Sequence, residues 1–93
     1  MTKMQTISKM ILTLEQHAER VGVDLTGNIP DNVNDFDDLF DDGGEARCVY
    51  FVDVADEYAL KFGKIETSRF EDAQWECIDA AMNKLREKYN KGE

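Results

Sequence analysis

Eight carboxylates crowd residues 24–45, and no Lys or Arg lies among them. Asp24, Asp31, Asp35, Asp37, Asp38, Asp41, Asp42 and Glu45 are the groups through which this sequence is best placed to do chemistry. Clustered carboxylates attract hard cations, and a calcium loop of the EF-hand type wants acids at alternate positions and a Gly at the sixth. Counting from Asp35, the third position is Asp37, but the fifth is Leu39 and the sixth Phe40; counting from Asp37, the third is already Leu39. The motif fails, and no metal site is expected. General acid–base catalysis needs a carboxyl group set against a suitable partner or pocket. None of these acids stands beside a His or a Gly-rich loop.

What remains for the acids is their field. The chain carries a net charge of −9, and the imbalance sits almost wholly in one place: residues before 24 contribute +1, residues 24–45 contribute −8, and the remainder −2. Such a segment repels nucleic-acid and membrane phosphates and attracts a basic protein surface. Two readings stand side by side. Charge runs are commonly solvated faces, and here Phe36, Leu39 and Phe40 would anchor the run to the core. Alternatively the run is a negative surface shaped to occupy a basic groove, with Phe36 and Phe40 exposed as apolar hot spots. The lack of any basic residue raises the second reading above its usual standing, because self-repulsion costs stability that a 93-residue domain can hardly spare.

Other reactive residues are few. His17 is the only histidine, which removes a His-rich metal site and leaves a catalytic triad without footing. Set between Leu14 and Ala18, it reads as a surface or boundary residue. Cys48 and Cys77 have apolar neighbours and read as small core residues, kept reduced in a cytoplasm. No further cysteine exists to complete a zinc site. Neither a cofactor nor an enzymatic activity is implied.

The elements that must position these groups follow from periodicity. Ile7, Met10, Ile11, Leu14, Ala18 and Val21 fit a helix, with Thr2 and Gln5 as a capping box, Thr6 as a rival cap and Gly22 as its left-handed stop. Val33, Phe36, Leu39 and Phe40 predict a short amphipathic helix in the acidic run, capped by Asp31 or Asn32. After Gly43-Gly44, residues 47–54 are rich in β-formers. Cys48, Tyr50, Val52 and Val54 would face one way, and Val49, Phe51 and Asp53 the other. Ala55-Asp56-Glu57 would turn the chain, and Tyr58, Leu60 and Phe62 would line a second strand of a β-hairpin. Ser68 and Glu71 form a capping-box signature before a long helix carrying Phe70, Ala73, Cys77, Ile78, Ala81, Met82, Leu85 and Tyr89, fraying from Asn90. The expectation is a single α+β domain, α(α)ββα, in which two long helices cover a hairpin and an edge strand is open to pairing. Its small size leaves a thin stability margin that a homodimer would widen. The longest apolar run is five residues, 48–52, too short for a bilayer, so no membrane is expected as a partner.

Two stretches of similarity bear on function. Tyr58-Ala59-Leu60-Lys61 resembles the V-A-I-K strand of a protein-kinase N-lobe, Gly43-Gly44 with Cys48-Val49-Tyr50 resembles a degraded Gly-rich loop, and Glu76 resembles the αC glutamate. Over residues 43–82 that resemblance implies a catalytically dead relic in which Lys61 faces Glu76. The H-R-D and D-F-G motifs have no counterpart, so phosphoryl transfer would lack its residues. In size, acidity and overall style the chain also resembles small phage-encoded inhibitors of the anti-CRISPR and anti-restriction kind, some of which are DNA mimics. That resemblance implies a host-cell cytoplasmic protein that blocks a nucleic-acid groove without touching nucleic acid itself.

The leading expectation is therefore a non-enzymatic inhibitor. It would bind a basic, nucleic-acid-binding surface through Asp31, Asp35, Phe36, Asp37, Asp38, Phe40, Asp41, Asp42 and Glu45. A self-associating adaptor and the kinase-like relic are the alternatives.

Overall fold

The computed structural model describes residues 2–40, 43–63 and 70–90. It holds four helices, α1 over Lys3–Val21, α2 over Val33–Phe40, α3 over residues 45–63 and α4 over Phe70–Tyr89, and no strand among the described residues. The expected α+β class is overturned, and with it the hairpin and its open strand edge.

α1 forms where apolar spacing and end signals agree. The Thr2 hydroxyl accepts from the Gln5 N–H at 3.1 Å while the Gln5 side chain accepts from the Thr2 N–H at 2.7 Å, the reciprocal box. Thr6 is not the cap; it is buried, and its hydroxyl donates to the Thr2 carbonyl. Gly22 ends the helix at φ +81°, and the Val23 N–H reaches back to the Ala18 carbonyl at 2.8 Å.

α3 occupies the stretch read as a hairpin. Short α-helical pieces, Glu45–Arg47 and Ala55–Tyr58, alternate with wider π-helical ones, Cys48–Val54 and Ala59–Gly63. The Ala55 N–H bonds to the Tyr50 carbonyl five residues back, which widens the turn. Every fourth or fifth side chain then returns to one face. Burial follows that step: Ala46, Tyr50, Val54 with Ala55, Tyr58 with Ala59, then Gly63. A strand would have set Cys48 and Val52 beside Tyr50, and Leu60 beside Tyr58. Instead Cys48 is exposed, Val52 is 49% exposed and Leu60 59%. Val49, Tyr50, Phe51, Val52 and Val54 do favour strands, but that preference depends on context, and packing against α1 and α4 overrides it. Nor does 55–57 offer a Gly, Asn or Pro to reverse the chain.

Cross-helix pairs give the packing order. Lys3 meets Glu76 and Glu15 meets Lys88, so α1 and α4 run the same way. Arg20 meets Glu45 and Lys9 meets Glu57, so α3 runs back along α1. Between them lies one core of Met10, Leu14, Phe36, Tyr50, Tyr58, Cys77, Ile78 and Leu85, each at most 1% exposed. Cys77 is a core residue as expected, and burial pushes its thiol up to about 12.

The loop after α1 is tied to the end of α4. The Gly27 N–H donates to the Tyr89 carbonyl at 2.8 Å, and the Asn90 amide accepts from the Ile29 N–H and donates to its carbonyl. Asn90 is thus pinned where fraying was expected; residues 91–93 lie outside the described residues. So does Ser68, the proposed cap of α4. Phe70, expected to lead the buried stripe, is 43% exposed.

Candidate acidic interaction face

α2 sorts the acidic run into inward and outward sides. Val33, Phe36 and Phe40 are buried, so Asp35 and Asp38 are left facing water, and Asp31 is exposed just ahead of the helix. Asn32 caps α2, its side-chain Oδ1 accepting from the Asp35 N–H at 2.8 Å and its side-chain amide donating to the Asp35 carboxylate at 2.9 Å. Asp35 therefore serves the helix N-terminus, where a negative charge is favoured. Asp31 and Asp38 have no ion pair among the described residues.

Two of the predicted acids are compensated from other elements. Arg20 reaches from α1 to within 2.6 Å of Glu45, and the Arg47 Nε lies 3.6 Å from Asp37. Asp37 is also half-buried, and its other carboxylate oxygen has no hydrogen-bond partner. Asp24 is used locally, accepting from the Thr26 N–H at 3.0 Å. Asp41 and Asp42 lie outside the described residues.

Phe36 and Phe40 are not exposed hot spots. Their exposures are 0% and 4%, and their rings meet nearly at right angles with centroids 5.0 Å apart. Phe36 continues to Tyr50 at 6.1 Å, and Phe40 to the ring of His17 at 5.4 Å. They hold α2 to the core, as the solvated-face reading required. His17 is itself buried rather than at the boundary, and its Nδ1 accepts from Arg20 at 2.6 Å. One guanidinium thus ties α1, through His17, to Glu45 at the start of α3.

The apolar surface beside the acids centres on Trp75, which no periodic stripe in the sequence includes. Between the start of α2 and the outer side of α4 lies a hollow of about 380 Å³ whose walls include Asp31, Val33, Trp75, Asp79, Met82 and Arg86. A second hollow of about 300 Å³ shares Val33 and Trp75 and adds Arg47 and Phe51. Trp75 is 38% exposed, and its ring stands nearly perpendicular to Phe51 at 5.6 Å. A signal for it existed: Trp75 falls outside the stripe of Ala73, Cys77, Ile78 and Ala81, and a lone Trp on the polar side of an amphipathic helix marks a contact surface.

The kinase-like pairing is absent. Residues 58–61 are helical, and Lys61 lies 3.6 Å from Glu57 on its own helix. Glu76 pairs with Lys3 at 3.7 Å and hydrogen-bonds Tyr58, whose buried hydroxyl is raised in pKa first by desolvation and then by that carboxylate. Among the described residues, no three His, Cys, Asp or Glu side chains converge as a metal site would need, and no helix is long and apolar enough to cross a membrane. No known protein family, curated protein or solved structure matches this chain.

Proposed function

We propose that this chain is a non-enzymatic inhibitor of the anti-CRISPR or anti-restriction kind. It docks an acidic face onto the basic, nucleic-acid-binding surface of a host defence or nucleic-acid-processing protein. The supporting observation is the run of residues 24–45, eight acids with no basic residue of their own; Arg20 meets Glu45 and Arg47 meets Asp37, while Arg86 donates to the backbone carbonyls of Pro30 and Asp31. Asp31, Asp35 and Asp38 stay exposed on one short helix and its approach, and Asp41 and Asp42 extend the run in sequence. Carboxylates so displayed offer a basic groove what phosphates offer it, and their field speeds encounter. Phe36 and Phe40 hold that helix in place; Trp75 and Phe51, beside it, supply the apolar contact.

The test is competition. Proteins retained from a cell extract by the immobilised chain should be released by a DNA duplex, and should lose the chain steeply as salt rises past the physiological range. The variant carrying Asp31→Asn, Asp38→Asn, Asp41→Asn and Asp42→Asn should retain far less. A retained protein that binds DNA and the chain together, or one held equally at low and high salt, would refute the reading.

A further inference from the structure

The hollow beside α2 has the makings of a receptor for a single basic side chain. Its arginine, Arg86, donates to the Pro30 and Asp31 backbone carbonyls at 3.2 and 3.5 Å and to the Asn83 side chain, and Arg47, on the adjoining hollow, faces Asp37 and the Asn34 side-chain oxygen. Its two acids, Asp31 and Asp79, are exposed and have no ion pair among the described residues. Asp79 follows Trp75 by four positions on α4, so the two share a helix face. Asp31 comes from the opposite wall. Phe51 packs against the indole and limits its rotation.

We propose that this hollow binds an arginine side chain of the partner, its guanidinium lying on the Trp75 ring and donating to Asp31 and Asp79. The inference rests on the acidic-face reading and names the contact that fixes the docked orientation. Arginine fits better than lysine because its planar cation stacks on an indole while donating in its own plane to two carboxylates; an ammonium ion is a point charge with a stronger hold on water. A phosphate or an acidic peptide is disfavoured, since the two carboxylates of the hollow outnumber its one cation, Arg86.

Trp75 is the only tryptophan, so its indole N–H resonance and its fluorescence report this site alone. The full chain is titrated with a blocked pentapeptide, Gly-Gly-Arg-Gly-Gly, and with the same peptide carrying lysine or neutral citrulline. The arginine peptide should shift the Trp75 indole signal saturably, and the lysine peptide should bind about fivefold more weakly. Asp79→Asn, a change at an exposed position, should weaken the arginine peptide by about fivefold, the scale of one exposed ion pair. Trp75→Phe, read on the backbone resonances of residues 31–34, should weaken it as well. An equal shift with citrulline, or no loss in Asp79→Asn, overturns the proposal. Failure of the two readings separates cleanly. If the quadruple Asp→Asn variant loses its DNA-displaceable partner while Asp79→Asn and Trp75→Phe keep it, the arginine site is wrong and the acidic face stands. If the peptide binds but no partner is released by DNA, the reverse holds.

Discussion

Replacing Asp56-Glu57 by Asn-Gly tests the central correction to the fold, because a hairpin and a helix predict opposite signs. Asn-Gly favours the type I′ turn of a hairpin and would stabilise a chain that reverses there. In α3 the same residues sit mid-helix, and the Asp56 side chain accepts a hydrogen bond from Gln74 that asparagine keeps. Glycine in place of glutamate costs about 0.5–1 kcal/mol in helix propensity. It also removes the Glu57 contacts to Lys9 at 2.8 Å and Lys61 at 3.6 Å. Both lysines are nearly half exposed, so each contact is worth about 0.2–1 kcal/mol. The total is about 1–3 kcal/mol, a fall in Tm of roughly 5–25 °C for a domain this size. Thermal melts followed by far-UV circular dichroism give the answer, with Asn-Ala at 56–57 as the control that loses the same ion pairs but keeps helix propensity. The Gly variant should melt below the Ala variant. A Gly variant that melts at or above it would refute a helical α3.

Three further outcomes follow from the packing. Phe36→Ala should cost about 3–5 kcal/mol in chemical denaturation, because its ring is wholly enclosed by Phe40 and Tyr50, while Asp38→Asn on the outer side should stay within about 0.5 kcal/mol of the parent. At neutral pH a thiol reagent should modify the exposed Cys48 and leave Cys77 untouched until the chain unfolds, since burial holds the Cys77 thiol at about 12. Burial raises the pKa of Glu15, but hydrogen bonds from Lys88 and Tyr89 outweigh it and leave the folded value below the usual glutamate range. Its contribution to stability is therefore present above the unfolded value and disappears as pH falls through the folded one; Glu15→Gln should flatten that part of a stability-versus-pH curve.

What the sequence made legible was whatever a local rule decides. The capping box at Thr2 and Gln5, the left-handed Gly22 and the core stripe of α4 are each set by residues within a few positions of one another. α3 was misread because residues 48–52 form a short apolar run, and periodicity alone does not separate a buried strand from a buried helix in such a run. Its π-helical turns made matters worse: a step of four to five residues matches neither the period of a strand nor that of an α-helix. A further clue was at 55–57, where Asp56 favours a turn but the Gly or Asn of a tight hairpin turn is absent. The acids were legible as a run but not as a face, because their compensation is non-local. Arg20 is 25 residues from Glu45 and meets it only because α1 packs on α3, and Arg47 on α3 meets Asp37 only because α3 folds back toward α2.

That division of labour changes what the negative charge means. Four of the acids in the run are structural: Asp24 accepts from the Thr26 N–H, Asp35 completes a cap, Asp37 meets Arg47, and Glu45 holds Arg20. Mutating these would shift stability as well as any binding, and a loss of partner would then be hard to assign. Asp31 and Asp38 are different, since they face water with no ion pair among the described residues, and Asp79 joins them from α4, far outside the run. A surface that repels itself at those three places gains most when a cation arrives there. The gain should be largest where a carboxylate shares its face with an apolar ring that already sheds water. Of the three, Asp31 and Asp79 meet that condition beside Trp75, and Asp38 supplies long-range attraction from α2. Affinity should therefore respond more to Asp79→Asn than to Asp38→Asn, whereas the salt dependence of the association rate should respond to both.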